Sequence, residues 1–126
     1  MKYFTLLLIL TLNIFAAGRP LLPATPYSQI EDKIGKGAPY FLEVGSDACR
    51  SCRVMGKMLY TIKEANPKLN IYFINVHEER EVAATLKIMM IPTQLIFDAK
   101  GKEVYRHIGK LEQAELEQTL TKYGVK

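Results

Sequence analysis

Cys49 and Cys52, in the segment Cys49-Arg50-Ser51-Cys52, are the 2 cysteines of this chain and its best placed residues for covalent chemistry. Ser46 or Asp47 can cap a helix that starts near Cys49. A helix N-terminus offers unpaired N–H groups and a partial positive charge, which favour a thiolate on Cys49. Arg50 and Arg53 add two cations close by. Cys52 falls one turn deeper, nearer the core and within disulfide reach of Cys49. One thiol is then exposed and activated and the other shielded. Thiol–disulfide exchange needs that inequality, an attacking thiolate followed by a resolving thiol that breaks the mixed disulfide.

Two other uses of the pair compete with exchange. A static staple across so short a loop would contribute only about 2 kcal/mol, and a staple is more useful between distant segments. A soft-metal site for Cu(I) could draw on Met55, Met58, Met89 and Met90. Met55 and Met58, however, recur at the spacing of a core stripe. His77 and His107 lie at the ends of different strands and read as surface side chains. Two cysteines cannot make a four-thiolate zinc site. Exchange is the favoured reading, with no metal expected.

The elements that must position this pair follow from patterning. Tyr27, Ile30 and Ile34 give a weak helical face over Tyr27 to Gly37, ended by glycines and Pro39. Tyr40 to Val44 and Ile71 to Val76 are apolar runs of strand length. Between them Val54, Met55, Met58, Leu59 and Ile62 recur at spacings of three and four, predicting one long helix with a single buried stripe that stops at Asn66-Pro67. A short helix is expected over Glu79 to Lys87. Thr93 to Phe97 and Val104 to Ile108 flank the turn Asp98-Ala99-Lys100-Gly101 and read as a hairpin. Glu112 to Tyr123 closes as an amphipathic helix. The expected fold class is α/β, a mixed sheet of about four strands with helices on both faces.

Composition sets the limits. With 126 residues there is room for one domain. The 48% hydrophobic and 24% charged content is a globular balance, and a net charge of +4 scattered along the chain does not suggest nucleic-acid binding. Lys2 precedes an apolar run from Phe4 to Ala17, too short for the roughly 20 residues of a spanning helix and suited to a secretory signal. Small residues at Ala16-Ala17-Gly18 place the expected cleavage after Gly18; an uncleaved membrane tether is the alternative. The expected organisation is a signal over 1–18, an extended proline-rich lead-in over 19–28 and one domain over 29–126, in a monomer that is periplasmic or otherwise exported.

Over nearly all of residues 27–124 the chain resembles the thioredoxin family. Besides the C-x-x-C, the resemblance rests on Ile91-Pro92-Thr93, the strand Gln94-Leu95-Ile96-Phe97, the turn glycine Gly101 and Gly109 after the last strand. It implies a thioredoxin fold, Cys49 as nucleophile, Cys52 as resolving thiol, and a cis Pro92 packed against the pair. Ile91 would offer backbone groups to a bound substrate strand, with Pro92, Arg50 and Ser51 completing that surface. Glu43 falls where the family carries a buried acid that helps move the resolving thiol's proton. It is equally readable as a strand residue facing water, because Leu42 and Val44 belong to the other face and alternation does not decide.

The departures are Ala48 before the pair, Arg-Ser inside it, an apolar residue near Phe73 where a lysine often partners the acid, and a first strand that is missing or very short. Arg50 favours a more oxidising pair, yet 19–126 has no room for the helical insertion of periplasmic oxidases. The resemblance therefore implies a periplasmic disulfide reductase, acting on protein disulfides and re-reduced by a membrane thiol–disulfide donor, with no cofactor beyond the redox-active disulfide. An oxidant or isomerase, a copper-handling protein and a chaperone-type binding module are the alternatives.

Overall fold

The computed structural model describes Gly18 and residues 20–126. The expected signal segment therefore lies outside the described residues, apart from Gly18. Two 3-10 turns, Tyr27–Gln29 and Glu31–Lys33, precede β1 (Tyr40–Gly45) and α1 (Arg50–Ala65). There follow β2 (Ile71–Asn75), α2 (Arg80–Thr85), β3 (Thr93–Phe97), β4 (Glu103–Ile108) and α3 (Gln113–Lys122). The sheet order is β2-β1-β3-β4, with β1 and β2 parallel and the other two pairings antiparallel. This is the mixed four-stranded sheet expected from the order of elements.

All six residues of β1 are buried, because β1 is an inner strand covered on both faces. Phe41 packs with Met55 and Leu59 of α1 and with Leu116 and Leu120 of α3. Leu42 and Val44 pack with Ile30, Val82 and Leu86 on the opposite side. One face therefore carries α1 and α3, and the other carries α2 and the 3-10 turns. That division assigns each strand residue to a layer, and it puts Glu43 and Gly45, which alternate with Leu42 and Val44, on the α1 side.

Three local expectations need correction. A helix over Tyr27 to Gly37 is replaced by the two 3-10 turns, and Gly35 adopts a left-handed φ of 85° that an α-helix does not accept. The Tyr27 N–H bonds the Glu79 carboxylate at 3.1 and 3.2 Å, so a tertiary contact holds the first turn. The short helix spans Arg80–Thr85 and not Glu79 to Lys87, since Lys87 itself turns left-handed with φ 54°. Val54 is 39% exposed and leaves the α1 stripe, which buries Cys52, Met55, Gly56 and Leu59 instead.

The lead-in runs alongside β2. Ala24 makes an isolated parallel bridge with Phe73, and the Thr25 N–H donates to Phe73 O at 2.8 Å. This one-residue pairing occupies the edge where a first strand was missing from the sequence pattern. Among the described residues no helix is long and apolar enough to cross a membrane.

Candidate functional site: the cysteine turn and the acid beneath it

Cys49 is itself the N-cap of α1, with φ −88° and ψ 126°, and its Sγ accepts a hydrogen bond from the Cys52 N–H at 3.3 Å. Neither Ser46 nor Asp47 caps the helix, contrary to expectation. The Ser46 hydroxyl accepts from the Ala48 N–H at 3.0 Å and meets His77 Nδ1 at 3.2 Å, so Ser46 shapes the approach to the helix. Sulfur thus occupies the position where a side chain satisfies a free donor of the first turn, inside the positive end of the helix dipole.

The two cysteines are unequal. Cys49 is half-buried, whereas Cys52 is 4% exposed. Burial pushes the Cys52 thiol up to about 12, and its hydrogen bond to Cys49 acts in the same direction, while the Ser46 N–H pulls the other way. Arg50 and Ser51 are exposed on the first turn of α1, and Arg53 is exposed beside them.

Glu43 is buried, 1% exposed, so it does not face water. Burial raises its carboxyl well above the ordinary carboxylate range; the Gln94 amide opposes that rise, and the nearby Cys49 adds to it. Its Coulombic influence reaches Cys52 as well. Gly45, two residues on and on the same face, explains the approach of helix to strand. A Cβ there would lie 2.8 Å from Cys52 Sγ.

The β1–β3 register ends with Val44 opposite Thr93, so Pro92 comes directly before the end of β3 that lies next to Gly45, the residue against which Cys52 packs. The Ile91–Pro92 peptide bond is cis. Pro92 is buried and Ile91 half-buried. Pro92 O accepts from the Gly109 N–H at 2.8 Å, and the Thr93 hydroxyl donates to Met90 O at 2.6 Å, which ties down both sides of the loop. The fold thus gathers Cys49, Cys52, Glu43 and Pro92 at one end of the sheet, with Arg50, Ser51 and Ile91 around them.

A cleft of about 200 Å³ reaches Cys52 from the β2 side, between Leu22 and Pro23 of the lead-in, Ser46, Arg53 and Phe73. Met89 and Met90 are 86% and 64% exposed, whereas Met55 is buried, its sulfur accepting from the Leu111 N–H at 3.3 Å. Among the described residues no group of three or more His, Cys, Asp or Glu side chains is placed to hold a metal ion.

Two polar residues of this region escaped the sequence reading. Gln94, fully buried, donates from Nε2 to both Glu43 oxygens at 3.3 and 3.2 Å, and its Oε1 meets His107 Nδ1 at 2.7 Å. His107 is therefore bonded inward and not simply a surface side chain. A glutamine within an otherwise apolar strand run was the one available signal.

A dithiol on the first turn of a helix, over a buried carboxyl and under a cis-proline loop, defines a thioredoxin-like domain. The profile of that domain matches residues 27–124. The chain is 29% identical to a thioredoxin of Porphyra purpurea over 94 residues, 74% of this chain and 87% of that protein. It is 26% identical to a thioredoxin of Mycoplasma pneumoniae over 95 residues, covering 74% and 90%. Mitochondrial thioredoxin 3 of Saccharomyces cerevisiae superposes with a TM-score of 0.65 at 18% identity, over 81% of this chain and 94% of that one. For the Malassezia sympodialis thioredoxin the TM-score is 0.68 at 19% identity, over 86% and 97%. The chain belongs to the thioredoxin-like family. It is a thiol–disulfide oxidoreductase.

Proposed function

We propose that this protein is an exported, periplasmic disulfide reductase in which Cys49 attacks and Cys52 resolves. The observation that carries the reading is the inequality of two cysteines on one helical turn, the outer at the positive helix end and the inner buried beside an acid. The Cys49 thiolate attacks one sulfur of a substrate disulfide, forming a mixed disulfide and releasing the other substrate sulfur as a thiolate. Cys52 then gives its proton to the Glu43 carboxylate and attacks Cys49 Sγ. The Cys49–Cys52 disulfide forms and the second substrate thiolate leaves. Two electrons have passed from the enzyme dithiol to the substrate disulfide.

The remaining roles follow the surface around the pair. Ile91 and Pro92, with Arg50 and Ser51 on the first turn of α1, are the residues we assign to the face a substrate strand would occupy. A buried Cys52 needs a base to become a nucleophile, and Glu43, the buried carboxyl nearby whose proton affinity burial raises, is suited to take its proton. The connection from α1 to β2 covers only 66–70, and that from β2 to α2 only 76–79, so neither carries the helical insertion of dedicated oxidases. Export rests on the lysine-led apolar run of 4–17. Regeneration would come from a membrane thiol–disulfide donor, and the domain would act as a monomer with no cofactor beyond its own disulfide.

The test is trapping. Cys52→Ser protein mixed with a disulfide-bonded protein substrate accumulates a mixed disulfide through Cys49, read by mass spectrometry. Cys49→Ser protein accumulates none and has no reductase activity. A Cys49→Ser variant that retains activity would overturn the assignment and favour a binding module on the same fold.

A further inference from the structure

Four residues form one row across the whole sheet. The register pairs Phe73 with Glu43, Glu43 with Gln94, and Gln94 with His107, one from each strand in the order β2-β1-β3-β4. Paired residues of adjacent strands share a face, and the packing of Phe73 and Ile96 identifies it as the α1–α3 face. Phe73 has no polar atom to offer, so the hydrogen bonding to the Glu43 carboxyl comes from the other side of the row, from Gln94.

The row has a direction. A carboxylate only accepts, so Gln94 must present its NH2 group to Glu43 and its carbonyl oxygen to β4. A buried amide is otherwise free to turn over, and the turned form would set its oxygen against the carboxylate. His107 Nδ1, 2.7 Å from Gln94 Oε1, removes that freedom by donating to the oxygen. The His107 ring is held in turn by stacking on Tyr105, centroids 6.5 Å apart, and Tyr105 packs on Tyr123, the C-cap of α3. The titratable groups around Glu43 and Gln94 are Cys49, the N-cap of α1, Cys52 within α1, and His107 and Tyr105 from β4, with Glu115 of α3 and its C-cap Tyr123 acting on Tyr105.

We propose that His107 and Gln94 are positioning residues for Glu43: the imidazole fixes the amide, and the amide keeps the carboxylate ready to accept the Cys52 proton. The proposal rests on the reading of Glu43 as that acceptor. In the resolving step the Cys52 S–H bond breaks and its proton moves to a Glu43 oxygen. The Cys52 electron pair forms the bond to Cys49 Sγ as the Cys49–substrate S–S bond breaks, and the substrate sulfur leaves with the pair of that bond as a thiolate. The proton stays on Glu43 until the enzyme disulfide is reduced, when Cys52 takes it back. Without the NH2 donors burial acts on the carboxyl unopposed, so at neutral pH more of the protein holds Glu43 already protonated and unable to accept.

The experiment uses Gln94→Leu, His107→Leu and His107→Asn, the last retaining an N–H close to the position of Nδ1. Two quantities are read at neutral pH and across a pH series: the Glu43 carboxyl 13C shift by NMR, and the rate at which Cys52 resolves a preformed mixed disulfide on Cys49. Expected are an upward move of the Glu43 titration and resolution slowed by about 10-fold or more in Gln94→Leu, below the full loss of a general base. His107→Leu should move both in the same direction and His107→Asn should restore both. The rate of Cys49 alkylation should not fall in these variants, because nothing in the row hydrogen-bonds Cys49 and a Glu43 held protonated repels its thiolate less.

An unmoved Glu43 titration in His107→Leu overturns the proposal, as does a His107→Asn variant that behaves like His107→Leu. If Gln94→Leu does not fold, the two variants at the half-buried His107 decide alone. A Glu43→Gln protein that resolves as fast as wild type would sink the reading of Glu43 as the acceptor, while the NMR titration would still report whether His107 and Gln94 control its carboxyl.

Discussion

Gly45 and Cys52 are in contact across the β1–α1 interface, so close that a methyl group on Gly45 would come within 2.8 Å of Cys52 Sγ. The absent side chain at Gly45 sets how near the helix sits to the strand. It also sets how near Cys52 comes to Glu43, two residues back on the same face. Gly45→Ala should therefore cost about 1–3 kcal/mol through overpacking, read as a lower Tm of the reduced protein. The same substitution should slow mixed-disulfide resolution more than Cys49 alkylation, since it displaces the inner sulfur.

The unequal burial of the thiols predicts selective modification. Iodoacetamide at about pH 8 should label the reduced native protein once, on Cys49, because Cys52 is 4% exposed and its thiol is pushed up to about 12. Peptide mapping should find Cys52 labelled only after unfolding. Equal labelling of both in the native state would contradict the geometry.

Glu43 makes stability depend on pH in a definite direction. Its carboxyl is raised by burial, so its favourable contribution is complete below the ordinary carboxylate range and is lost as pH rises through the raised folded value. Each unit of that rise amounts to about 1.4 kcal/mol. Glu43→Gln fixes the neutral form and still offers an oxygen to Gln94. The variant should match wild type in Tm near pH 4 and exceed it near pH 8, measured on reduced protein by thermal denaturation.

How far the sequence discloses this arrangement depends on whether a residue's partners are local. The long helix and its cysteine turn were legible because spacings of three and four report one buried face directly. The hairpin was legible from Asp98 and Gly101: the Asp98 carboxylate accepts from the N–H groups of Lys100 and Lys102 at 2.9 Å, and Gly101 takes a φ of 87°. Glu43 was ambiguous because β1 is buried on both faces, where alternation carries no information. Gln94 and His107 could not be joined to it, because cross-strand register is settled by the whole sheet. The segment after Tyr27 was misread as one helix because its first turn is held by Glu79, 52 positions away.

Arg106 fastens the segment that leads into the cis-proline loop. Its guanidinium donates to Leu86 O at 2.8 Å and Lys87 O at 3.1 Å, and it pairs with Glu103 at 2.7 Å. These carbonyls belong to the two residues that follow α2, five and four positions before Ile91. The site is partly exposed, which limits its worth, and Arg106→Ala should cost about 1 kcal/mol. A Tm lower by about 4–8 °C would be the corresponding shift for a domain near this size. Faster amide hydrogen exchange over 86–91 should accompany it, with α1 unaffected.

The equilibrium reduction potential of the Cys49/Cys52 pair tests the central claim most directly. The domain, equilibrated against dithiothreitol and glutathione buffers, is quenched and its thiol and disulfide forms are counted by mass. A potential of about −270 mV is predicted for a reductase driven by a membrane donor. A potential of about −120 mV would contradict it, making the protein an oxidant and Arg50, beside Cys49, the first residue to replace.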